Sequence, residues 1–167
     1  MTNPLLVDWS TKFGLPHFDE ITDDDFAPAL DVALDEARAN VAAIAENPEA
    51  ATFENTIEAL ELSEESLGRV LSTFYNLAGT DSNERREALQ REFSPKISAY
   101  ASEITMNTAL FARIDALWAA RETLDLTSEQ DRVLLLPRRG FVRSGAEREG
   151  FARGRLTEVA ARLATLG

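Results

Sequence analysis

Side chains suited to metal binding or proton transfer are scarce in this sequence, which contains one histidine, His17, and no cysteine. The zinc-binding pattern H-E-x-x-H requires two histidines on one helix, so the composition alone excludes it. His17 stands between Pro16 and Phe18, with no identifiable nucleophile nearby that it could activate. We therefore expect this histidine to have a packing or surface role.

Two groups of acidic residues have the chemistry to bind cations but lack the rest of a known site. Residues 23–25 are three consecutive aspartates, yet the central glycine and final glutamate of a calcium loop are missing. The dipole of a helix favours aspartates in its first turn, which accounts for this run. The second group comprises Glu58, Glu61, Glu64 and Glu65. Carboxylate-bridged di-iron bundles also need Glu-x-x-His pairs, which one histidine cannot provide, so we expect these glutamates to form a solvated helix face.

Patterns for nucleophilic or phosphate chemistry are also missing from the sequence. It has no G-x-S-x-G elbow, no G-x-x-x-x-G-K-[ST] loop and no G-x-G-x-x-G turn. Tyr75 and Asn76 are candidates for surface contacts only. We assign no catalytic residue and no metal ligand to this chain, and its substrate-binding residues stay unknown.

The composition is typical of a globular domain with one core. The 167 residues are 44% hydrophobic and 28% charged, and the lack of cysteine fits a reducing compartment. No signal-peptide pattern occurs, and no apolar run approaches the roughly 20 residues that span a bilayer. We therefore expect a cytoplasmic protein with no membrane partner.

The net charge of −12 is unevenly distributed. Residues 1–131 contain nine basic and 26 acidic side chains, whereas residues 132–167 contain eight basic and three acidic ones. Phosphate backbones repel an acidic protein, so nucleic acid is not expected as a partner. We expect the arginines of the last segment to pair with acidic helices of the same protein. They include Arg138, Arg139, Arg143, Arg148, Arg153 and Arg155.

Apolar spacing predicts an all-α fold, an antiparallel helical bundle preceded by an extended N-terminal arm. The arm has no helical period, but its large apolar residues, among them Trp9 and Phe13, are expected to lie across helices. No alternating β-branched segment predicts a strand. The predicted single domain, residues 1–167, consists of the arm at 1–21, the main helices at 22–134, and a Gly/Arg-rich segment with a final helix at 135–167.

Capping residues and prolines predict where the helices begin and end. The first helix starts at a capping box of Thr22 and Asp25, with Pro28 in its first turn or at a break before it, and ends near Asn47-Pro48. The second starts at Thr52 and stops at Gly79.

The later helices are predicted by the same signals. Asp81 and Ser82 cap a third helix that Pro95 kinks, and Asn107 caps a fourth. Another capping box, Thr127 with Gln130, starts the next helix, which Pro137 and Gly140 interrupt. The predicted final helix carries Leu156, Val159, Leu163 and Leu166.

Several segments, in this order, resemble the N-terminal helical region of the thimet oligopeptidase family of zinc metallopeptidases, in particular its bacterial peptidyl-dipeptidase and oligopeptidase A branch. The matches span nearly all of the chain, and the most specific is Thr52-Phe53-Glu54-Asn55-Thr56-Ile57 with Ala59-Leu60-Glu61. The others are Asn3-Pro4-Leu5-Leu6, Phe13-Gly14-Leu15-Pro16-His17-Phe18, Asn76-Leu77-Ala78-Gly79-Thr80-Asp81-Ser82-Asn83, Glu92-Phe93-Ser94-Pro95-Lys96, Met106-Asn107, Ala109-Leu110-Phe111-Ala112-Arg113-Ile114-Asp115 and Phe141-Val142-Arg143-Ser144-Gly145-Ala146.

The resemblance implies a scaffold rather than a catalyst. In that family the H-E-x-x-H helix and a third carboxylate bind zinc far downstream, and the N-terminal helices form a wall of a channel that admits short peptides. None of those catalytic residues maps onto this sequence. The implied partners are therefore the rest of the peptidase, which holds the zinc, and the short peptides that the whole protein cleaves.

The sequence departs from the family pattern at residues 134–140, where a proline and a glycine replace a continuing helix. Family members also run on for several hundred residues, so we expect the chain alone to expose apolar surface on the arm and the last helix. Two alternatives stay open. One is a free-standing acidic interaction module that binds through Trp9 and Phe13, and the other is a metal-binding bundle.

Overall fold

A computed structural model describes residues 3–146 and Val159, and all regular structure within them is helical. The predicted all-α class is confirmed, because no strand occurs in this part of the chain. A π-helical segment, Phe53–Glu58, leads into α2, and short 3-10 turns lie at Lys12–Gly14 and Arg121–Thr123. The α-helices are α1 (Asp23–Ala45), α2 (Ala59–Leu62), α3 (Glu65–Thr80), α4 (Glu84–Thr105), α5 (Thr108–Ala120) and α6 (Ser128–Arg143).

The predicted helix starts are confirmed where a short polar side chain caps its own helix. The backbone N–H and hydroxyl of Thr22 donate to Asp25 Oδ2 at 2.8 and 2.7 Å. Asn107 Oδ1 accepts from the N–H of Leu110 at 2.9 Å, and the capping box at Thr127 forms as predicted. Each cap satisfies helix N–H groups that have no partner inside the helix.

The predicted effects of proline and glycine are wrong in two helices. α1 begins five residues before Pro28, which therefore lies beyond the first turn, and α6 continues through Pro137 and Gly140 to Arg143. In α6, Leu134 and Phe141 are both buried on the side that packs into the core. Burial of two such side chains contributes about 3–6 kcal/mol, which is enough to offset the cost of about 4 kcal/mol for a proline and a glycine inside a helix.

The second predicted helix is not continuous, because α2 ends at Leu62 and α3 begins at Glu65. Asn40 Nδ2 donates to the carbonyl oxygen of Ser63 at 3.1 Å. A continuing helix would present that oxygen to the N–H four residues later, so the side chain of Asn40 replaces a helical hydrogen bond.

The start of α4 also differs from the prediction. Its first turn is capped by Asn83, whose Oδ1 accepts from the N–H of Arg86 at 2.8 Å, rather than by Asp81 or Ser82. The predicted final helix lies outside the described residues except for Val159.

Residues 3–40 and 63–97 belong to one compact unit. Its core contains three fully buried phenylalanines, in which the ring of Phe74 lies 5.1 Å from that of Phe26 and 4.7 Å from that of Phe93. Leu5 of the arm is fully buried as well. Apolar burial in this core therefore stabilises the packing of the arm as well as that of the helices.

Residues 41–62 and 98–146 belong to a second compact unit. The rings of Phe111 and Phe141 stack at 5.7 Å in its core. The buried side chains of this core are Val41, Ile44, Ile57, Leu110, Ile114, Leu117, Leu134 and Phe141.

One arginine of α5 ties the loop after α1 to the π-helical segment within this second unit. Arg113 Nη1 donates to the carbonyl oxygens of Asn47 and Glu49 at 2.9 and 2.8 Å, and its Nη2 donates to Asn55 Oδ1 at 2.9 Å. The same Asn55 oxygen accepts from the N–H of Thr52 at 2.8 Å. Asn55 thus caps its own segment and holds α5 at once.

Replacing Asn55 by alanine should lower the free energy of unfolding by about 2 kcal/mol, since it removes a cap and leaves one face of a half-buried guanidinium unpaired. Asn107→Ala is the matched control, because the described contact of the Asn107 side chain is the cap bond from Leu110, and its loss should cost about 1 kcal/mol. Urea denaturation followed by circular dichroism measures both. Equal losses for the two variants would show that the bond from Arg113 adds nothing.

Candidate functional site

The single histidine lies in the arm and is half-buried. Its backbone oxygen accepts from the N–H of Glu20 at 2.9 Å in a local turn. Among the described residues, no three side chains of His, Asp or Glu stand close enough to hold a metal ion. The described part of the chain therefore does not fit a zinc site.

The aspartates at residues 23–25 do not converge on a common point but have separate partners. Asp25 accepts from Thr22 at the start of α1. Asp24 accepts from Arg85 Nη2 at 3.1 Å in a pair whose side chains are both exposed. These separate partners agree with the interpretation that the three aspartates are favoured by the dipole at the start of a helix.

The ion pair of Asp23 is better buried than that of Asp24. Arg86 Nε donates to the Asp23 carboxylate at 2.7 Å, and Asn83 Nδ2 does so at 2.8 Å. Burial raises the pKa of Asp23, but these hydrogen bonds and the charges of Arg86 and Arg85 outweigh it and hold the pKa below its ordinary value of 3.8. Arg86 Nη1 also donates to the carbonyl oxygen of Asp81. The network joins the start of α1 to the start of α4.

The four glutamates considered as metal ligands are all exposed, as expected for a solvated face. Tyr75 and Asn76 are exposed next to each other near the end of α3, where the ring of Tyr75 meets that of Phe74 edge-on at 5.2 Å. Their position allows the predicted surface contacts, and nothing in their geometry indicates catalysis.

The first half of the arm packs as predicted. Leu5 is fully buried, and Trp9 is half-buried, with its indole N–H donating to the carbonyl oxygen of Pro4 at 3.2 Å. The guanidinium of Arg69 lies 5.8 Å from the centre of the Trp9 ring. Trp9 is therefore occupied by contacts within its own unit.

The arm tip, residues 13–18, does not cover a surface as the sequence predicts. Phe13 is 84% exposed, Leu15 54% and Phe18 47%. Phe13 has a φ of 73°, a conformation that costs a residue with a side chain about 1–2 kcal/mol and is usually left to glycine. The local chain folds back on itself, which holds these side chains away from the core.

Local hydrogen bonds hold the arm tip in this conformation. The N–H of Gly14 donates to the carbonyl oxygen of Thr11 at 3.0 Å, and the Thr11 hydroxyl donates to the carbonyl oxygen of Leu15 at 2.6 Å. The ammonium of Lys12 lies 5.1 Å from the centre of the Phe13 ring. The tip is thus an ordered apolar projection.

The arginines near the end of the sequence follow the predicted pairing in one described case. Arg138 Nε donates to Asp115 Oδ1 at 2.8 Å, and the Arg138 guanidinium lies 5.2 Å from the Trp118 ring, which Arg121 approaches to 4.3 Å. Arg139 and Arg143 are exposed. Arg148, Arg153 and Arg155 lie outside the described residues.

None of the helices in the described part of the chain combines the length and the apolar character needed to cross a bilayer. The arm tip is the densest group of exposed large apolar side chains there, with three within six residues. An ordered projection of this kind is suited to contact with another protein surface.

Two groups of bacterial peptidases are similar to this chain over nearly its whole length. Dipeptidyl carboxypeptidase of Escherichia coli strain K12 is 38% identical over 164 residues, which cover 98% of the chain and 24% of that protein. The protein of the same name from Salmonella typhimurium is 36% identical over 165 residues, again 24% of its length. Oligopeptidase A of E. coli is 30% identical over 168 residues, which cover the whole chain and 24% of that protein. No protein-family model matches the chain.

The Asp23 pair should make stability depend on pH. Because the pKa of Asp23 is lower in the folded than in the unfolded chain, its contribution is present above pH 3.8 and is lost as the pH falls through the folded value. The difference in free energy of unfolding between the wild type and Asp23→Asn, measured with urea at several pH values, should therefore shrink at acid pH. Asp24→Asn, which affects an exposed pair, should differ little from the wild type at any pH. If the difference in free energy of unfolding between the wild type and Asp23→Asn stays constant down to about pH 3, the role assigned to the pair is contradicted.

Proposed function

We propose that this chain acts as the non-catalytic N-terminal domain of a zinc-dependent oligopeptidase or peptidyl-dipeptidase. The chain is homologous over its whole length to the N-terminal quarter of dipeptidyl carboxypeptidase and oligopeptidase A. The homology carries the proposal. The chain spans 24% of the length of these relatives, so the activity of the whole protein is inferred from them.

In this proposal the helices form one wall of a substrate channel and limit access to short peptides. A wall needs a scaffold that keeps its shape, and the capped helices with close-packed cores in each unit meet that requirement. The short peptides are the substrates of the whole protein, and the rest of the peptidase is the partner of this domain.

Zinc chemistry is assigned to the rest of the peptidase. Zinc there would activate a water molecule for attack on a peptide carbonyl. The described residues of this chain do not fit a zinc site, so none of them is given a step in that reaction. Their proposed contribution is to admit and orient peptides. The cytoplasmic location expected from the sequence is proposed for the whole protein too.

The alternative is a free-standing acidic module that binds a partner protein through the arm. The exposure of Phe13 favours it, but the second residue expected to bind, Trp9, is engaged by Pro4 and Arg69. We rank this alternative below the peptidase domain because it leaves the homology unexplained.

Exchanging the domains tests the proposal. This chain should restore peptide hydrolysis when it replaces the first quarter of E. coli dipeptidyl carboxypeptidase, with kcat/KM for a short peptide within about 100-fold of the parent enzyme, or about 2.7 kcal/mol of barrier. The parent without its first quarter is the control. It should be less active on short peptides, or else less selective against long unfolded chains.

The result that contradicts the proposal is a folded, zinc-loaded chimera that is no more active or selective than the shortened parent. The interaction module would then be the better explanation.

A further inference from the structure

We infer that the arm tip, through Phe13, Leu15 and Phe18, is the surface by which this domain docks onto the rest of the peptidase. The inference rests on the proposed function and deepens it by naming the contact. Its evidence is the exposure of the tip, its ordered conformation and the size of surface that it offers.

Within the arm, the strong exposure of large apolar side chains is confined to the tip, and these side chains are closer together in sequence than the other exposed apolar residues of the described surface. Within the arm, Leu5 is fully buried while Phe13 is 84% exposed. Other exposed apolar residues stand singly on separate helices, such as Val32 on α1, Leu62 on α2 and Leu136 on α6. Single exposed residues are normal in proteins, whereas three within six residues form a patch that needs a cover.

The tip is organised before it meets a partner. The hydroxyl of Thr11 donates to the carbonyl oxygen of Leu15 at 2.6 Å, and Phe13, with its unusual φ of 73°, lies in the middle of that turn. Asp19 and Glu20, both exposed, follow directly and supply a polar rim. A projection that is already ordered loses little conformational entropy on docking.

The rest of the peptidase is the occupant that fits the size of this patch. A stable contact between separate proteins buries about 800 Å² on each side. The tip offers two phenylalanine rings of about 150–250 Å² each and one leucine, all of them already partly covered, and these fall short of that area. A second copy of the chain would therefore not be held by the tip alone. Within one polypeptide the local concentration is high and a small contact suffices. The relatives continue for the remaining three quarters of their length, which provides such a partner.

Protection from chymotrypsin, which cleaves after exposed aromatic residues, tests the inference. Cleavage after Phe13 and Phe18 should be at least about tenfold slower in the E. coli chimera than in this chain alone. This corresponds to about 1.4 kcal/mol in the free energy of exposing the arm tip to the protease. The triple variant Phe13→Ser, Leu15→Ser, Phe18→Ser should melt at a lower temperature in the chimera than the wild-type chimera does.

A matched control replaces three exposed apolar residues outside the tip, Val32→Ser, Leu62→Ser and Leu136→Ser, and should leave cleavage in the arm slow. Circular dichroism of both triple variants as single chains checks that their helices form, which the exposure of the replaced side chains allows.

The outcomes separate this inference from the proposed function. An active chimera whose arm is cleaved as fast as in the single chain overturns the docking site and leaves the proposed function intact. Cleavage of the single chain that slows with rising concentration assigns the tip to a second copy and overturns the inference too. A folded but inactive chimera overturns the proposed function, and the docking site with it.

Discussion

The second compact unit depends on the three hydrogen bonds that the guanidinium of Arg113 donates to the loop after α1 and to Asn55. A loop between two helices has carbonyl groups without helical partners, here on the half-buried Asn47 and the exposed Glu49. Arg113 supplies hydrogen-bond donors to them from α5 in a fixed fork geometry. Its Nε is buried without a hydrogen-bond partner among the described residues. The position of the loop and the π-helical segment against α5 is therefore set by the bonds from the two terminal nitrogens of Arg113. The π-helical segment must start where Asn55 can accept one of these bonds.

The starts of α1, α5 and α6 were predictable because each depends on residues within three positions of one another. Thr22 with Asp25 and Thr127 with Gln130 contain their partners in the local sequence. The break between α2 and α3 was not predictable in this way, since the side chain that bonds to the chain at the break, Asn40, lies 23 residues earlier. Such partners become neighbours only after the chain has folded.

Local propensity misled at Pro137 and Gly140, and the content of large apolar residues misled at the arm tip. In α6 the buried Leu134 and Phe141 keep the helix intact across both residues. In the arm, the apolar residues up to Trp9 are covered while those from Phe13 onward are not, although their composition is similar. The absence of catalytic motifs followed from residue counts. The position of the exposed apolar surface depends on the backbone turn at Phe13 and Gly14. Gly14 indicates a turn there, but not which side chains the turn leaves uncovered.

Each compact unit carries one of the two tryptophans, Trp9 in the first and Trp118 in the second, and each indole lies beside an arginine. Replacing either tryptophan by phenylalanine would leave a protein whose tryptophan fluorescence comes from one unit alone. The two units thus have built-in and separable optical reporters. Time-resolved refolding of the two single-tryptophan proteins would reveal the order in which the units assemble, without any attached dye.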